Sequence, residues 1–411
     1  MAEKFYRLEV LKVKTGCDEM KALLNDGLSK EGIKVFNEVG IETDTRKREP
    51  KALVAQIGEF DALVVRSSTK VTKEVIESGV RGKLKIVGRA GIGFDNIDVV
   101  AAVQNGIVVK NAPWSNINAT AELALALMLC VSRNLPQAYF SLKRAVWRKK
   151  PFEGLELSGK TLGIIGCGKI GQRLSELVLG FNMEVIGYDP VVNLNSRIKF
   201  LPKEEVLRRS DYISVHASGK EVVIGERELS LMKQTAYLIN TSRGRYVTEE
   251  ALFNALKSGK IAGAALDVYE EEPGTEGDEF RSRLKELNNV ILSPHLGAST
   301  KEAQSRTSIE IAHGITDYLK KGDFSNAVNV GENIALEEKT IFPLFVYHDD
   351  KPGMFAKIDK VLADHGVNIR ETPSRQIGEG CAIAVYMVHQ RVGQNVLSSL
   401  NKLEGVHRAT T

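Results

Sequence analysis

Cysteine is scarce in this 411-residue chain. The four present, Cys17, Cys130, Cys167 and Cys381, lie far apart and form no C-x-x-C pair. That spacing argues against a disulfide framework and against structural zinc, so no metal is expected, and reduced thiols in a reducing compartment fit best. Long apolar runs are missing as well. The most apolar window, "LALALMLCV" at 123–131, is about half a membrane span and is flanked by Glu122 and Arg133, which predicts a buried helix. The opening "MAEKFYRLEVLKVKTG" mixes acids and bases with alternating apolar residues, unlike the unbroken apolar stretch of a secretory signal. A cytoplasmic location without membrane attachment is the expectation. Excess charge is lacking too: a net +4 at this length suggests neither a nucleic-acid binder nor a polybasic anchor. Low-complexity tracts and repeats of 20 to 50 residues are absent.

What is present describes an ordinary soluble α/β protein. Hydrophobic residues make up 43% and charged ones 26%, and the length predicts two or three domains. From 7 to 111, apolar strand-like runs such as "DALVVRSST", "LKIVGRAGIGFDN" and "GIVVKNAP" alternate with helical segments such as "VTKEVIESG". That rhythm predicts a parallel sheet. At "APWSNINATAELALALML" it gives way to a long helix, with Thr120 as its expected cap and its end near Pro136. From 160 the rhythm restarts with "TLGIIGCG", "MEVIGYDP", "DYISVHAS", "AYLINTSRG", "IAGAALDVYEEEP" and "NVILSPHLG", predicting a second doubly wound sheet over 112–298. A helix follows near 299–325, then a polar joint near 329–340. The last segment reads βαββαβ, a small separate sandwich.

The stretch "GIIGCGKIG" carries a G-x-G-x-x-G pattern at Gly166, Gly168 and Gly171. The first glycine permits the tight turn, the second lets a pyrophosphate approach the backbone, and the third lets helix and strand pack closely. The following helix would hold the phosphates on its N-terminal N–H groups, with Lys169 and Ile170 lining the turn. Asp189 ends the next strand, where an acid accepts both ribose hydroxyls and repels a 2′-phosphate, favouring NAD over NADP. Its bland alternative is to cap the turn before Pro190.

Three further residues end later strands of the same unit: Arg243 in "INTSRG", Glu272 in "DVYEEEP" and His295 in "LSPHLGAS". Together they suit oxidation of a 2-hydroxy acid. Histidine titrates near neutrality and would take the hydroxyl proton. Glu272 would orient it from the other ring nitrogen, and Arg243 would hold the substrate carboxylate. Singly, each also reads as a satisfied histidine, a surface acid and a helix-capping arginine.

These motifs, with "RAGIGFDNID", "GIIGCGKIGQRL", "LINTSRG", "GAALDVYEEEP" and "SPHLGAST", resemble the D-isomer-specific 2-hydroxyacid dehydrogenases, most closely their phosphoglycerate-oxidising branch. The resemblance implies that Arg243, Glu272 and His295 form the catalytic set. It places NAD contacts on Ile92, Lys169, Ile170, Asp189, Ala217, Thr241, Ser242, Arg243, Asp267, His295, Gly297 and Ala298. Ala217 departs from the pattern, because "HASGKEVVIGE" lacks the usual Pro-Thr-rich continuation. A discontinuous substrate unit (1–111 and 299–330), a cofactor unit (112–298) and a hinged cleft between them are implied. Substrate contacts fall on Arg66, Ser67, Arg89 and the Gly91 loop, with Ser68 and Thr69 as further donors and Lys149 reaching from a partner subunit. Ser68 stands where some relatives carry a second arginine, and Arg66 alone reads equally as a surface salt bridge.

The tail, "FVYHDDKPGMFAKIDKVLADHGVNI", resembles an ACT regulatory unit over 338–411. That likeness implies a serine effector held by His348, Asp350 and Asn368 between paired units, in a homotetramer. Asp350 replaces the asparagine common in serine-inhibited enzymes, and assembly alone is the tail's other role. Expected activities are thus oxidation of 3-phospho-D-glycerate, reduction of glyoxylate, hydroxypyruvate or another 2-keto acid, or NAD sensing without turnover.

Overall fold

The computed structural model describes residues 20–191, 197–219, 221–274, 277–329, 342–372, 374–376 and 380–410. The opening segment with Cys17, and most of the joint read at 329–340, lie outside these residues.

Five parallel strands form the first sheet: β1 (Lys21–Leu24), β2 (Glu42–Asp44), β3 (Ala62–Val65), β4 (Ile86–Arg89) and β5 (Val108–Asn111), in the order β2-β1-β3-β4-β5. The inner strands β1, β3 and β4 carry buried apolar residues on both faces because both are covered, whereas the edge strand β2, Glu-Thr-Asp, is polar. Ala22, Leu24, Val64 and Ile86 face one core, whereas Leu23, Leu63, Val65 and Val87 face the other. The chain returns to the first core much later, when Ile311, Ala312 and Ile315 of the helix Lys301–Lys321 pack on it. Gly88 makes room for that helix, since a Cβ there would lie 2.8 Å from Ile315 Cδ1.

The second sheet holds seven parallel strands: β6 (Thr161–Ile165), β7 (Glu184–Tyr188), β8 (Lys199–Phe200), β9 (Tyr212–Val215), β10 (Tyr237–Asn240), β11 (Gly263–Leu266) and β12 (Val290–Leu292). Their order, β12-β11-β10-β9-β6-β7-β8, reverses direction between β6 and β9 and so sets a ligand crevice at the carboxyl ends of those strands. The apolar window at 123–131 is a buried helix, Ile117–Ser132, whose Ala121, Ala124, Leu127 and Met128 pack with Ile239 and Ala265. Thr120 is not its cap. The helix begins after Asn116, and Thr120 sits inside it, donating from Oγ1 to the Gly297 carbonyl at 3.2 Å. Nor does it run to Pro136: it ends at Ser132, and Pro136 occupies the first turn of a new helix, Leu135–Lys143.

The tail is antiparallel, with β13 (Phe342–Asp349), β14 (Ile369–Glu371), β15 (Ser374–Gln376), β16 (Cys381–Val388) and β17 (Val406–Thr410). Side chains alternate between its two faces. Leu344, Val346, Ala384 and Tyr386 meet Ile358 and Leu362 of the tail's own helix Met354–Asp364. Phe345, Tyr347, Ile383, Val385 and Met387 instead join the core of the first unit, beside Val103 and Phe324. At the rim, Arg408 Nη1 donates to Asn105 Oδ1 at 3.1 Å.

Candidate active site

The glycine turn after β6 matches the steric demands of a dinucleotide cradle. Gly166 has φ +95°, and a Cβ there would lie 2.4 Å from the His216 carbonyl carbon. A Cβ on Gly171 would lie 2.5 Å from the Gly166 carbonyl oxygen. Gly168 differs: a Cβ there would meet nothing within 4 Å, so open space lies over the turn. Gly168 is the N-cap of the helix Lys169–Leu177 and makes no side-chain bond to it, and a helix N-terminus of this kind suits an anion. Ile170 packs on the core behind the turn, and Lys169 Nζ sits 3.2 Å from the centroid of Trp114.

Asp189 follows β7, where its Oδ2 accepts the Cys167 N–H at 2.8 Å and its Oδ1 accepts that of Val191 at 2.9 Å. The acid therefore does cap its own turn, while bound to the glycine turn itself. Across the crevice, Ala217 follows β9. Ser242 donates N–H and hydroxyl to Asn240 Oδ1, both at 3.1 Å, and the buried Thr241 Oγ1 has no partner among the described residues. Asp267 is fully buried and accepts from Ser293 Oγ (2.6 Å), Leu296 N (2.8 Å) and Gly297 N (2.8 Å). Burial raises its carboxyl against those bonds. Ala298 is tied by its carbonyl to Gln304 Nε2 at 2.8 Å, and Ile92 by its carbonyl to Asn111 Nδ2 at 2.6 Å. The open turn, the helix N-terminus and the orphaned Thr241 hydroxyl fit a dinucleotide.

His295 occupies the left-handed region at φ +54° and its N–H bonds to the Asp267 carbonyl at 2.9 Å. A non-glycine residue held there is a backbone cost concentrated at functional sites. Its Nδ1 lies 2.7 Å from Glu272 Oε2, and Glu272 Oε1 accepts the Tyr269 N–H at 3.3 Å. Burial pushes the Glu272 carboxyl up, but the bond and charge of His295, the Tyr269 amide and nearby Arg243 outweigh it and hold it below the ordinary range. Arg243 follows β10, with Nη1 on the Ser242 carbonyl (2.7 Å) and Nε on Asp95 Oδ2 of the first unit (2.9 Å). Histidine and glutamate are thus in direct contact, with the guanidinium near enough to act on the glutamate's charge.

On the first unit, Arg66 donates from Nε to the Gly27 carbonyl (3.2 Å) and from Nη2 to Ser308 Oγ (3.1 Å). Arg89 folds back onto the Ala90 carbonyl at 2.7 Å, a path open because Gly91 lacks a Cβ that would lie 1.8 Å from its Nη1. Its buried Nε has no partner among the described residues. Burial, then the charges of Arg243 and Arg66, push Arg89 down to about 10 against Asp95 and Asp26. The guanidiniums of Arg66, Arg89 and Arg243 therefore lie within electrostatic reach of one another, with the carboxylates of Asp95 and Asp26 among them. The hydroxyls divide: Ser68 and Thr69 both donate to Asp26 Oδ1, at 2.6 and 2.7 Å, whereas Ser67 is exposed. Asp26, which carries no motif of its own, also takes the Arg66 N–H at 2.7 Å and so shapes the loop. Lys149 is exposed, its ammonium 5.9 Å from the Trp147 ring centroid.

The tail residues are not brought together within one chain. His348 is buried beside Phe355, with Nδ1 on the Asp349 carbonyl at 2.7 Å and Nε2 lacking a partner among the described residues. Asp350 is exposed and its N–H reaches the Gly380 carbonyl at 2.9 Å. His348 pairs with Ala382, whereas the exposed Asn368 accepts from His389 at the far end of β16. That span is roughly 20 Å at the usual rise per residue.

Residues 125–297 match the family profile described as D-isomer specific 2-hydroxyacid dehydrogenase, NAD binding domain. The chain is 43% identical over 331 residues to D-3-phosphoglycerate dehydrogenase of Methanocaldococcus jannaschii, covering 76% of this chain and 60% of that protein. It is also 43% identical over 297 residues to hydroxypyruvate reductase of Thermotoga maritima, covering 71% of this chain and 96% of that one. The solved structure of D-2-hydroxyisocaproate dehydrogenase superposes with a TM-score of 0.65 at 30% identity, over 75% of this chain and 99% of that one. The chain spans about three fifths of the length of the curated D-3-phosphoglycerate dehydrogenases it matches first. A doubly wound cofactor crevice, a histidine on a glutamate at its mouth, and these likenesses lead to one conclusion: the chain belongs to the D-isomer-specific 2-hydroxyacid dehydrogenase family.

Proposed function

We propose that this protein is an NAD-dependent dehydrogenase that oxidises 3-phospho-D-glycerate to 3-phosphohydroxypyruvate, the entry step of serine synthesis. The observation that carries the reading is the 2.7 Å contact between His295 Nδ1 and Glu272 Oε2 at the mouth of the crevice. Glu272 fixes the ring so that Nε2 faces substrate and takes the C2 hydroxyl proton. Arg243 holds the carboxylate, together with amides of the loop after Gly91. Bound NAD supplies the acceptor for the hydride leaving C2. Gly166, Gly168, Lys169, Ile170 and Gly171 would hold its phosphates, Asp189 its ribose, and Thr241, Asp267, Gly297 and Ala298 its nicotinamide side.

Arg66 and Arg89 are the phosphate-binding cations, with Ser67 beside them. The substrate unit is 1–111 with 299–330, the cofactor unit 112–298 and the regulatory unit 338–411. The regulatory unit acts as an ACT pair: His348 and Asp350 of one copy face Asn368 of another, because one chain separates them by the length of β16. Serine is the effector proposed there, in a cytoplasmic homotetramer whose partner subunit supplies Lys149.

A second reading, reduction of a 2-keto acid without phosphate, is favoured by the inward bonds of Arg66 and by the 96% coverage of the hydroxypyruvate reductase relative. Comparing kcat/KM for phosphohydroxypyruvate and hydroxypyruvate with NADH separates the two. The phosphate reading expects at least ~10-fold preference for the phosphorylated acid, lost in Arg66→Ala. Equal use of both, unchanged by that substitution, favours the second.

A further inference from the structure

The crevice and the first unit are joined by a residue that neither motif assigns. Asp95 lies in the loop between β4 and the helix Val99–Gln104. Its Oδ2 accepts Arg243 Nε at 2.9 Å and its Oδ1 accepts Arg245 Nη1 at 2.8 Å, so one carboxylate spans the cleft and engages two arginines of the facing unit. Both mounts are hydrogen-bonded to their surroundings. On the Asp95 side, Asn96 donates from Nδ2 to the Arg66 and Thr69 carbonyls, each at 2.7 Å, and its own carbonyl accepts the Val71 N–H at 2.8 Å. On the arginine side, Asn240 Nδ2 holds the Arg243 carbonyl at 2.9 Å, and Arg245 Nη2 holds the Gly219 carbonyl at 3.1 Å.

The consequence falls on Arg243. Its Nε is taken by Asp95 and its Nη1 by the Ser242 carbonyl, which fixes the guanidinium plane. The remaining nitrogen, Nη2, lies over Gly93, only 1.5 Å from where a Cβ would stand. It therefore faces the same backbone loop as the proposed carboxylate site. We infer that Asp95 is a positioning residue: it orients Arg243 toward the substrate carboxylate and latches the two units across the cleft through Arg243 and Arg245. This deepens the dehydrogenase reading and rests on it for the role of Arg243, whereas the latch is independent of any substrate.

Two measurements on the 411-residue chain test it, using Asp95→Ala and Asp95→Asn. In steady-state reduction of phosphohydroxypyruvate and hydroxypyruvate, Asp95→Ala raises KM by ~10- to 50-fold, with kcat within ~3-fold and NADH affinity unchanged, because an interaction common to ground and transition states is weakened. Asp95→Asn keeps an oxygen for Arg243 Nε and recovers most of the loss. In hydrogen exchange without ligands, Asp95→Ala speeds exchange both at 91–98 and, across the cleft, at 217–219 and 243–247. Unchanged exchange on the facing unit overturns the latch, whether or not either acid is turned over. An unaltered KM in an active enzyme, or a fall in kcat alone, overturns the positioning role. If the wild type reduces neither acid, the dehydrogenase reading fails instead, and the exchange result alone decides the latch.

Discussion

Glu272 Oε2 and His295 Nδ1 stand 2.7 Å apart although 23 residues separate them in sequence. The glutamate follows β11 and the histidine follows β12, neighbours in the sheet with Ala264 opposite Val290. Parallel pairing thus delivers both side chains to the same edge of the crevice. The depressed Glu272 carboxyl stays ionised through the neutral range, and its contribution to stability is lost only as pH falls through the carboxylate range.

Replacing that charge while keeping the shape gives the first prediction. Glu272→Gln lowers kcat by roughly 10- to 100-fold, since the imidazolium loses its counter-charge. The loss falls on oxidation and reduction alike, because the same ring takes and returns the proton. Single-turnover stopped-flow rates in both directions measure it. Rates equal to those of the wild type remove the carboxylate from the proton transfer.

Two glycines of the turn, Gly168 and Gly171, separate folding from binding. Gly168→Val enters open space, so the melting temperature stays within ~2 °C while NADH affinity falls at least ~10-fold, by blocking close approach. Gly171→Ala meets a carbonyl oxygen at 2.5 Å and lowers stability by about 1–3 kcal/mol. Calorimetry and NADH fluorescence titration on both variants check the contrast.

Lys110 lies in the middle of β5 with 1% of its surface exposed, and its Nζ is 3.8 Å from Asp323, too far for a hydrogen bond. Burial pushes the ammonium down to about 8, against the pull of Asp323 and Asp317. The unfolded chain therefore binds the extra proton between about 8 and 10.5, and stability rises with pH across that window. Lys110→Met raises stability at pH 7 by ~1–3 kcal/mol and flattens that rise. Urea unfolding at pH 7, 9 and 10 measures both effects.

Much of this was legible because it is periodic or steric. The βα rhythm foretold two parallel sheets, and the strand ends foretold where Arg243, Glu272 and His295 would emerge. Contacts across units were not legible. Nothing in "GFDN" announces that Asp95 reaches two arginines some 150 residues later. Thr120 carries a capping signature yet serves the Gly297 carbonyl, because the tertiary partner outweighed the local one. The alternation in "FPLFVYHD" marked two apolar faces on β13, but only the fold tells that the second covers the first unit.

That docking yields a further prediction. Phe345 is 3% exposed and its ring lies 6.1 Å from that of Phe324, between centroids, so Phe345→Ala costs about 3–5 kcal/mol. The loss divides the tail from the first unit, and two unfolding transitions replace one in calorimetry. A single, unshifted transition argues that the contact contributes nothing.

The proposed roles, His295 moving the proton and the glycine turn holding the cofactor, are tested most directly by NADH formation from 3-phospho-D-glycerate and NAD at alkaline pH with the product trapped, in the wild type and in His295→Asn. The wild type should form NADH steadily, kcat should drop at least ~100-fold in the variant, and both should bind NADH with the same affinity. Equal rates in the two proteins, or no NADH from this or any other 2-hydroxy acid, would rule those roles out.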